Sequence, residues 1–167
     1  MSLPACMDCD LDGLGFPCRT DGRLDPAKVA EAALRHYRAT FGATGEFGDS
    51  PDRWAGSCWS ETLTQEAPDA CLDACIALLE LKPTNAEIPY FAAGPLEDLV
   101  TQNGPAVIDR IEAEAKVNPQ FRYLLSGIWG QSRTDPDVWR RIQAAIEAGP
   151  HMDDDPRTPQ GSTRPLK

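Results

Sequence analysis

The sequence predicts an all-α protein, a compact bundle of about six to eight short helices packed as antiparallel hairpins. Three observations predict this class. Proline often follows a helix-capping residue, and it suits the first turn of a helix because the N–H group it lacks would be unbonded there. Apolar residues then recur at helical spacing. The links between these periodic segments are short, which favours antiparallel neighbours.

Three helices are predicted in the first half of the chain. Asp25-Pro26 begins a helix that Gly42 ends, and Ser50-Pro51 begins a second helix. The third, predicted at residues 68–81, has an apolar side and an acidic back. Its inward residues are Cys71, Leu72, Cys75, Ile76, Leu78 and Leu79, and its outward residues are Asp69, Asp73 and Glu80.

A helical period over residues 87–102 passes through Gly94-Pro95. Proline inside a helix removes a hydrogen bond and clashes with the preceding turn, so a restart at Pro95 is predicted. Glu97 and Asp98 would then lie near the new N-terminus, where the helix dipole favours carboxylates. Asn103-Gly104 is predicted to end this helix.

Three further helices are predicted to begin at Pro105, Pro119 and Pro136. The one from Pro119 is expected to run through Ile128 and Trp129, and Gly149 should close the last. The predicted organisation is an irregular Asp/Cys-rich segment at 1–24, a helical domain at 25–149 and a disordered tail at 150–167. Deleting residues 151–167 is therefore expected to change stability little.

A short block around the Gly94-Pro95 break carries a family resemblance. Residues 92–100 read Ala-Ala-Gly-Pro-Leu-Glu-Asp-Leu-Val, and Asn103-Gly104, Phe121-Arg122 and Ile128-Trp129 follow. This pattern resembles an uncharacterised bacterial helical domain family marked by an Ala-Gly-Pro-Leu-Glu-Asp-Leu signature. The resemblance covers roughly residues 54–147. It implies a helical fold, and it assigns no catalytic residues because none are established for the family.

The negative charge of the chain is concentrated in its middle third. Residues 46–100 hold eleven acids and two bases, whereas the whole chain has a net charge of −10. Phosphate binding depends on basic residues, so the sequence predicts no nucleic-acid partner. A basic protein partner suits this segment, with a solvated, solubilising surface as the alternative. The candidate partner-binding residues are Asp69, Asp73, Glu80, Glu97 and Asp98.

The N-terminal segment offers two metal-binding patterns. Asp8, Asp10 and Asp12 followed by Gly13 match the start of an EF-hand calcium loop, but Arg19 stands where that loop needs a glutamate. Cys6, Cys9 and Cys18 could supply three thiolates to zinc, with a fourth ligand still required. Zinc is the stronger of the two metal hypotheses. The expected alternative to both is that these cysteine thiols bind no metal.

Other chemistry is less well supported. Cys71 and Cys75 are expected to be core residues, because a reactive thiol needs an electropositive setting. Glu97 and Asp98 point about 100 degrees apart on a helix, which suits capping better than a shared proton. The four tryptophans are expected in the core, and an exposed one would be a good interface anchor. No segment predicts a membrane span or signal peptide, so a cytoplasmic location with reduced cysteines is expected.

The leading interpretation is a non-catalytic acidic module that binds a basic protein partner, as an immunity-like or antagonist protein would. The alternative is a metal-binding protein that uses the N-terminal Asp/Cys segment, with zinc favoured over calcium. An enzyme is the third interpretation, and no cofactor is expected.

Overall fold

The computed structural model describes residues 16–154 and confirms the all-α prediction. The sheet in this part of the chain is one antiparallel hairpin, β1 (Arg19–Thr20) and β2 (Arg23–Leu24). The chain divides into two compact units, Met1–Lys82 and Pro83–Lys167. The predicted domain at 25–149 is therefore built from two such units.

The first unit consists of short helices around a buried apolar core. Its elements are α1 (Pro26–Ala39), α2 (Phe41–Thr44), α3 (Trp54–Ser57), a π-helical turn (Cys58–Leu63), α4 (Thr64–Glu66) and α5 (Pro68–Glu80). Helices α1 and α5 pack on each other and supply much of this core. Residue 51 was predicted to begin a helix, but the helical backbone starts at Trp54.

Asp25 links the hairpin to α1. Its side chain caps the helix by accepting a hydrogen bond from the Ala27 N–H at 3.1 Å. The Thr20 hydroxyl donates to the same carboxylate at 2.7 Å and lowers the pKa of Asp25 below its ordinary value. The hairpin turn at Asp21-Gly22 has φ of 51° and 75°, a left-handed pair that this dipeptide favours. The sequence interpretation missed this hairpin inside the segment called irregular.

The π-helical turn brings Trp59 against α5. The Thr64 N–H bonds to the carbonyl of Trp59, five residues earlier, which is the spacing of a π-helix. The Trp59 indole N–H donates to the Cys71 carbonyl at 3.3 Å, and both residues are buried. Packing of this ring therefore fixes the wide turn against α5.

The second unit contains the family-like block. Its elements are α6 (Ile88–Phe91), a π-helical turn (Ala92–Leu96), α7 (Glu97–Val117), α8 (Pro119–Leu125), a 3₁₀ turn (Gln131–Arg133), α9 (Pro136–Ile146) and a second 3₁₀ turn (Met152–Asp154). Gly94 leaves helical geometry with φ −106° and ψ −107°, and Asn103 does so with φ −134° and ψ 21°. Both predicted interruptions are therefore present as kinks. The helix predicted to end at Asn103-Gly104 and the one predicted to begin at Pro105 are joined in the single kinked helix α7.

Two of the predicted boundaries in this unit are wrong. Helix α8 ends at Leu125, so Ile128 and Trp129 lie in the loop that follows it. The predicted tail begins too early, because Met152 is 3% exposed and its N–H donates to the Ser126 hydroxyl at 2.8 Å. Residues 155–167 lie outside the described part of the chain.

Two arginines join the helices of the second unit. Arg122 donates to the carbonyls of Ala115 and Gly149, each at 2.6 Å, and so satisfies two groups near helix ends. Arg141 on α9 pairs with Glu112 and Asp109 on α7 at 2.6 Å and lowers the pKa of Glu112. No helix among residues 16–154 has the length and apolar character required to cross a bilayer.

Candidate binding groove

A groove opens beside the loop that joins α8 to α9. Its volume is about 590 Å³, within the range of about 300–1,000 Å³ typical of ligand sites. Its walls are mostly apolar, and they are formed by Ile128, Trp129, Gln131, Ser132, Thr134, Pro136 and Trp139. The arrangement offers two indole rings and the exposed polar side chains of Gln131 and Ser132 to one ligand.

Glu97 holds the loop that forms one wall of this groove. Its carboxylate accepts a hydrogen bond from the Trp129 backbone N–H at 2.6 Å and another from the Arg133 guanidinium. Glu97 is 7% exposed, whereas the Arg133 side chain is 61% exposed. The backbone bond is therefore the better shielded of the two, and it fixes the position of Trp129.

Two glycines allow the loop to lie close to the rest of the unit. A Cβ on Gly127 would lie 2.6 Å from the Met152 Cε and 2.8 Å from the Ala92 Cβ. A Cβ on Gly130 would lie 2.5 Å from the Thr101 Cγ2. All three distances are shorter than real Cβ atoms adopt, so a side chain at either position would displace a neighbouring group.

The tryptophans divide between core and surface. Trp59 is buried, but Trp129 is 44% exposed, and Trp139 and Trp54 are half-buried. The expectation that all four belong to the core is therefore wrong for Trp129. The sequence interpretation also missed Gln131, Ser132 and Thr134, although the glycines on both sides of Ile128-Trp129 signal a loop there.

The carboxylates proposed for partner binding are not equivalent. Asp69, Asp73 and Glu80 are exposed on the outer side of α5, as the helical period predicts. Asp98 is half-buried, whereas Glu97 is buried and bound to its own chain. Glu97 therefore supports the groove and is not a surface carboxylate.

Cys71 and Cys75 lie in the core of the first unit. Both are almost fully buried, and the Cys71 thiol lies 3.4 Å from the Thr64 hydroxyl. A hydrogen bond with Cys71, together with burial, raises the pKa of Cys75 well above its ordinary value. This environment disfavours a thiolate, so it does not support a reactive cysteine.

The candidate metal ligands fall mostly outside the described structure. Cys6, Cys9, Asp8, Asp10 and Asp12 precede residue 16, and Cys18 is buried beside the hairpin. Within residues 16–154, no group of three or more potential ligands could hold a metal ion. Zinc and calcium binding by the N-terminal segment remain alternative hypotheses from sequence.

Elemental analysis tests the zinc hypothesis directly. We expect purified protein to contain far less than about one zinc per chain, because Cys6, Cys9 and Cys18 form no second ligand pair. Inductively coupled plasma mass spectrometry measures the content, with the Cys9→Ser variant as control. Stoichiometric zinc that is lost in this variant would contradict the expectation.

Comparison with known proteins places the chain in a family. Residues 45–149 match the model of a family of unknown function, DUF6869. The chain belongs to this family. The match includes the Gly94 kink, Glu97 and the whole groove of the second unit, whereas β1, β2 and α1 precede it. No curated protein and no solved structure matches the chain.

Proposed function

We propose that this DUF6869 protein is a non-catalytic interaction module that binds a basic protein partner. The observation that carries the proposal is the groove lined by Trp129 and Trp139. Tryptophan is enriched among the residues that dominate binding energy, because its large ring buries much area with few rotatable bonds. A half-exposed Trp129, fixed through its backbone by Glu97, is preorganised for such a contact.

The acidic face of α5 supplies the electrostatic part of the proposal. We define this face as Asp69, Asp73 and Glu80, which are exposed on one helix. The field of a negatively charged surface attracts a basic partner over distances near the Debye length. Such steering raises the association rate more than it slows dissociation.

The finer features of the proposal rest on composition and on the family-like block. An immunity-like or antagonist role suits a small acidic module, and we place it in the cytoplasm of a bacterium. The thiols of Cys18, Cys58, Cys71 and Cys75 suit a reducing compartment. We also infer that residues 93–99 are the signature of the family, because Glu97 in this block positions the groove loop.

Binding kinetics test the proposal once a partner has been isolated with the native protein as bait. Reversing the acidic face with Asp69→Lys, Asp73→Lys and Glu80→Lys should slow association by about tenfold at low salt. Added salt should likewise slow the association of the native protein with its partner. Trp129→Ala should mainly accelerate dissociation, since it removes a packed anchor. Surface plasmon resonance measures both rates.

A matched control separates the acidic face from total charge. Glu31→Lys, Glu147→Lys and Asp153→Lys make the same change in net charge at exposed positions outside residues 46–100. This variant should retain more of the native association rate than the reversed acidic face. If both variants slowed association equally, the effect would come from the net charge of the protein and not from the acidic face. Unchanged dissociation after Trp129→Ala would contradict a role for the groove.

A further inference from the structure

The chain beyond Asp154 begins close to the groove loop. The Met152 N–H donates to the Ser126 hydroxyl, and the Met152 side chain packs in the space left by the missing side chain of Gly127. Gly127 directly precedes Ile128 and Trp129 of the groove. Residues 152–154 are therefore held against the same loop that carries one groove wall.

The sequence that follows has the pattern of a polyproline ligand. Pro156 and Pro159 are three residues apart, and a polyproline II helix has about three residues per turn, so both rings would share one face. Residues 155–167 could extend about 40 Å at ~3.1 Å per residue, ample to run along a neighbouring groove. Its three bases, Arg157, Arg164 and Lys167, outnumber its one acid, Asp155, so the side chains of this segment are basic on balance.

The groove has the chemistry that such a segment requires. Flat indole rings pack against proline rings in the known mode of polyproline recognition. A polyproline II backbone makes no internal hydrogen bonds, so its carbonyls can accept from donors such as the exposed Gln131 and Ser132. Asp135 and Asp137 are exposed carboxylates on either side of the groove residue Pro136, where Asp135 also caps α9 and Asp137 also pairs with Arg140. The exposed Arg133 lies between the lining residues Ser132 and Thr134, so this end of the groove carries charges of both signs.

We propose that residues 155–167 bind in the Trp129 groove through Pro156 and Pro159. The segment then acts as an intramolecular competitor of the basic partner, a regulatory role that rests on the proposed function. Intramolecular docking needs little affinity, because a short connection to a held turn gives a high effective concentration. Partner binding would thus require displacement of the segment.

Fluorine NMR of protein labelled with 5-fluorotryptophan tests the proposal. The chain has four tryptophans, whose signals are assigned by single Trp→Phe variants. Deleting residues 155–167 should shift the Trp129 and Trp139 signals and leave those of Trp54 and Trp59 in place. A synthetic peptide of residues 155–167, added to the shortened protein, should restore the shifts. A Pro156→Ala, Pro159→Ala peptide and the Trp129→Ala protein should each bind at least about tenfold more weakly.

Three results would overturn the proposal. The first is that deletion of residues 155–167 leaves the Trp129 and Trp139 signals at the same chemical shifts. Another is a shift that depends on protein concentration, since the occupant would then belong to a second copy. The third is that Trp129→Ala weakens binding of the partner, whereas deletion of residues 155–167 does not strengthen it. This last result would leave the proposed function standing and remove only the competition.

Discussion

Replacing Glu97 with alanine is expected to lower the free energy of unfolding by about 3 kcal/mol. The change leaves the Trp129 backbone N–H without its acceptor and removes a charge-assisted bond to Arg133. Most of the loss should come from the Trp129 contact, because solvent screens the exposed Arg133 guanidinium. Urea unfolding followed by circular dichroism measures this loss.

The same substitution should also weaken ligand binding at the groove. Without Glu97, the wall that carries Trp129 loses its fixed position, so a ligand must pay the entropy of ordering it. Glu97→Gln should be milder in both assays, since an amide oxygen can still accept from the Trp129 N–H.

Asp98→Ala is the matched control for Glu97. Asp98 is the next residue of the same block and lies in the first turn of α7, where a carboxylate contributes about 0.3–1 kcal/mol through the helix dipole. The loss on replacing Asp98 should be smaller than that on replacing Glu97, and ligand binding should stay intact. Equal destabilisation by Asp98→Ala and Glu97→Ala would refute the special role of the Trp129 bond.

Much of the fold could be predicted because its signals are local. The capping side chains of Asp25, Asn118 and Asp135 each bond to N–H groups within three residues, and each precedes proline. The kinks at Gly94 and Asn103 likewise follow from residues at or next to the break. Local backbone preferences decide these features, so the sequence pattern is sufficient.

The groove could not be predicted because its supports are distant in sequence. Glu97 reaches Trp129 across 32 residues, and no local pattern indicates which carboxylate a loop will bury. Ile128 and Trp129 also keep the helical spacing from Phe121, which extended the predicted helix too far. Helix α8 nevertheless ends at Leu125, and Gly127 then packs closely on Met152, a contact between residues that are distant in sequence.

Replacing Met152 with alanine should lower the free energy of unfolding by about 2–5 kcal/mol, the usual range for a buried methionine. Met152 is 3% exposed, and its side chain lies against Gly127 in a space where a Cβ would not fit. Shortening it therefore leaves a cavity between the 152–154 turn and the groove loop. Thermal and urea unfolding measure the change, with Asp153→Ala as the exposed neighbouring control.

Two truncations locate this stabilisation along the chain. A protein ending at Asp154 keeps Met152 and its bond to Ser126, so it should retain most of the stability of the full chain. A protein ending at Pro150 loses both and should be destabilised at least as much as Met152→Ala. If both truncated proteins were as stable as the full chain, the 152–154 turn would contribute nothing to stability. The sequence prediction of a tail that begins at residue 150 would then stand. The two truncations thus separate packing by Met152 from occupation of the groove by residues 155–167.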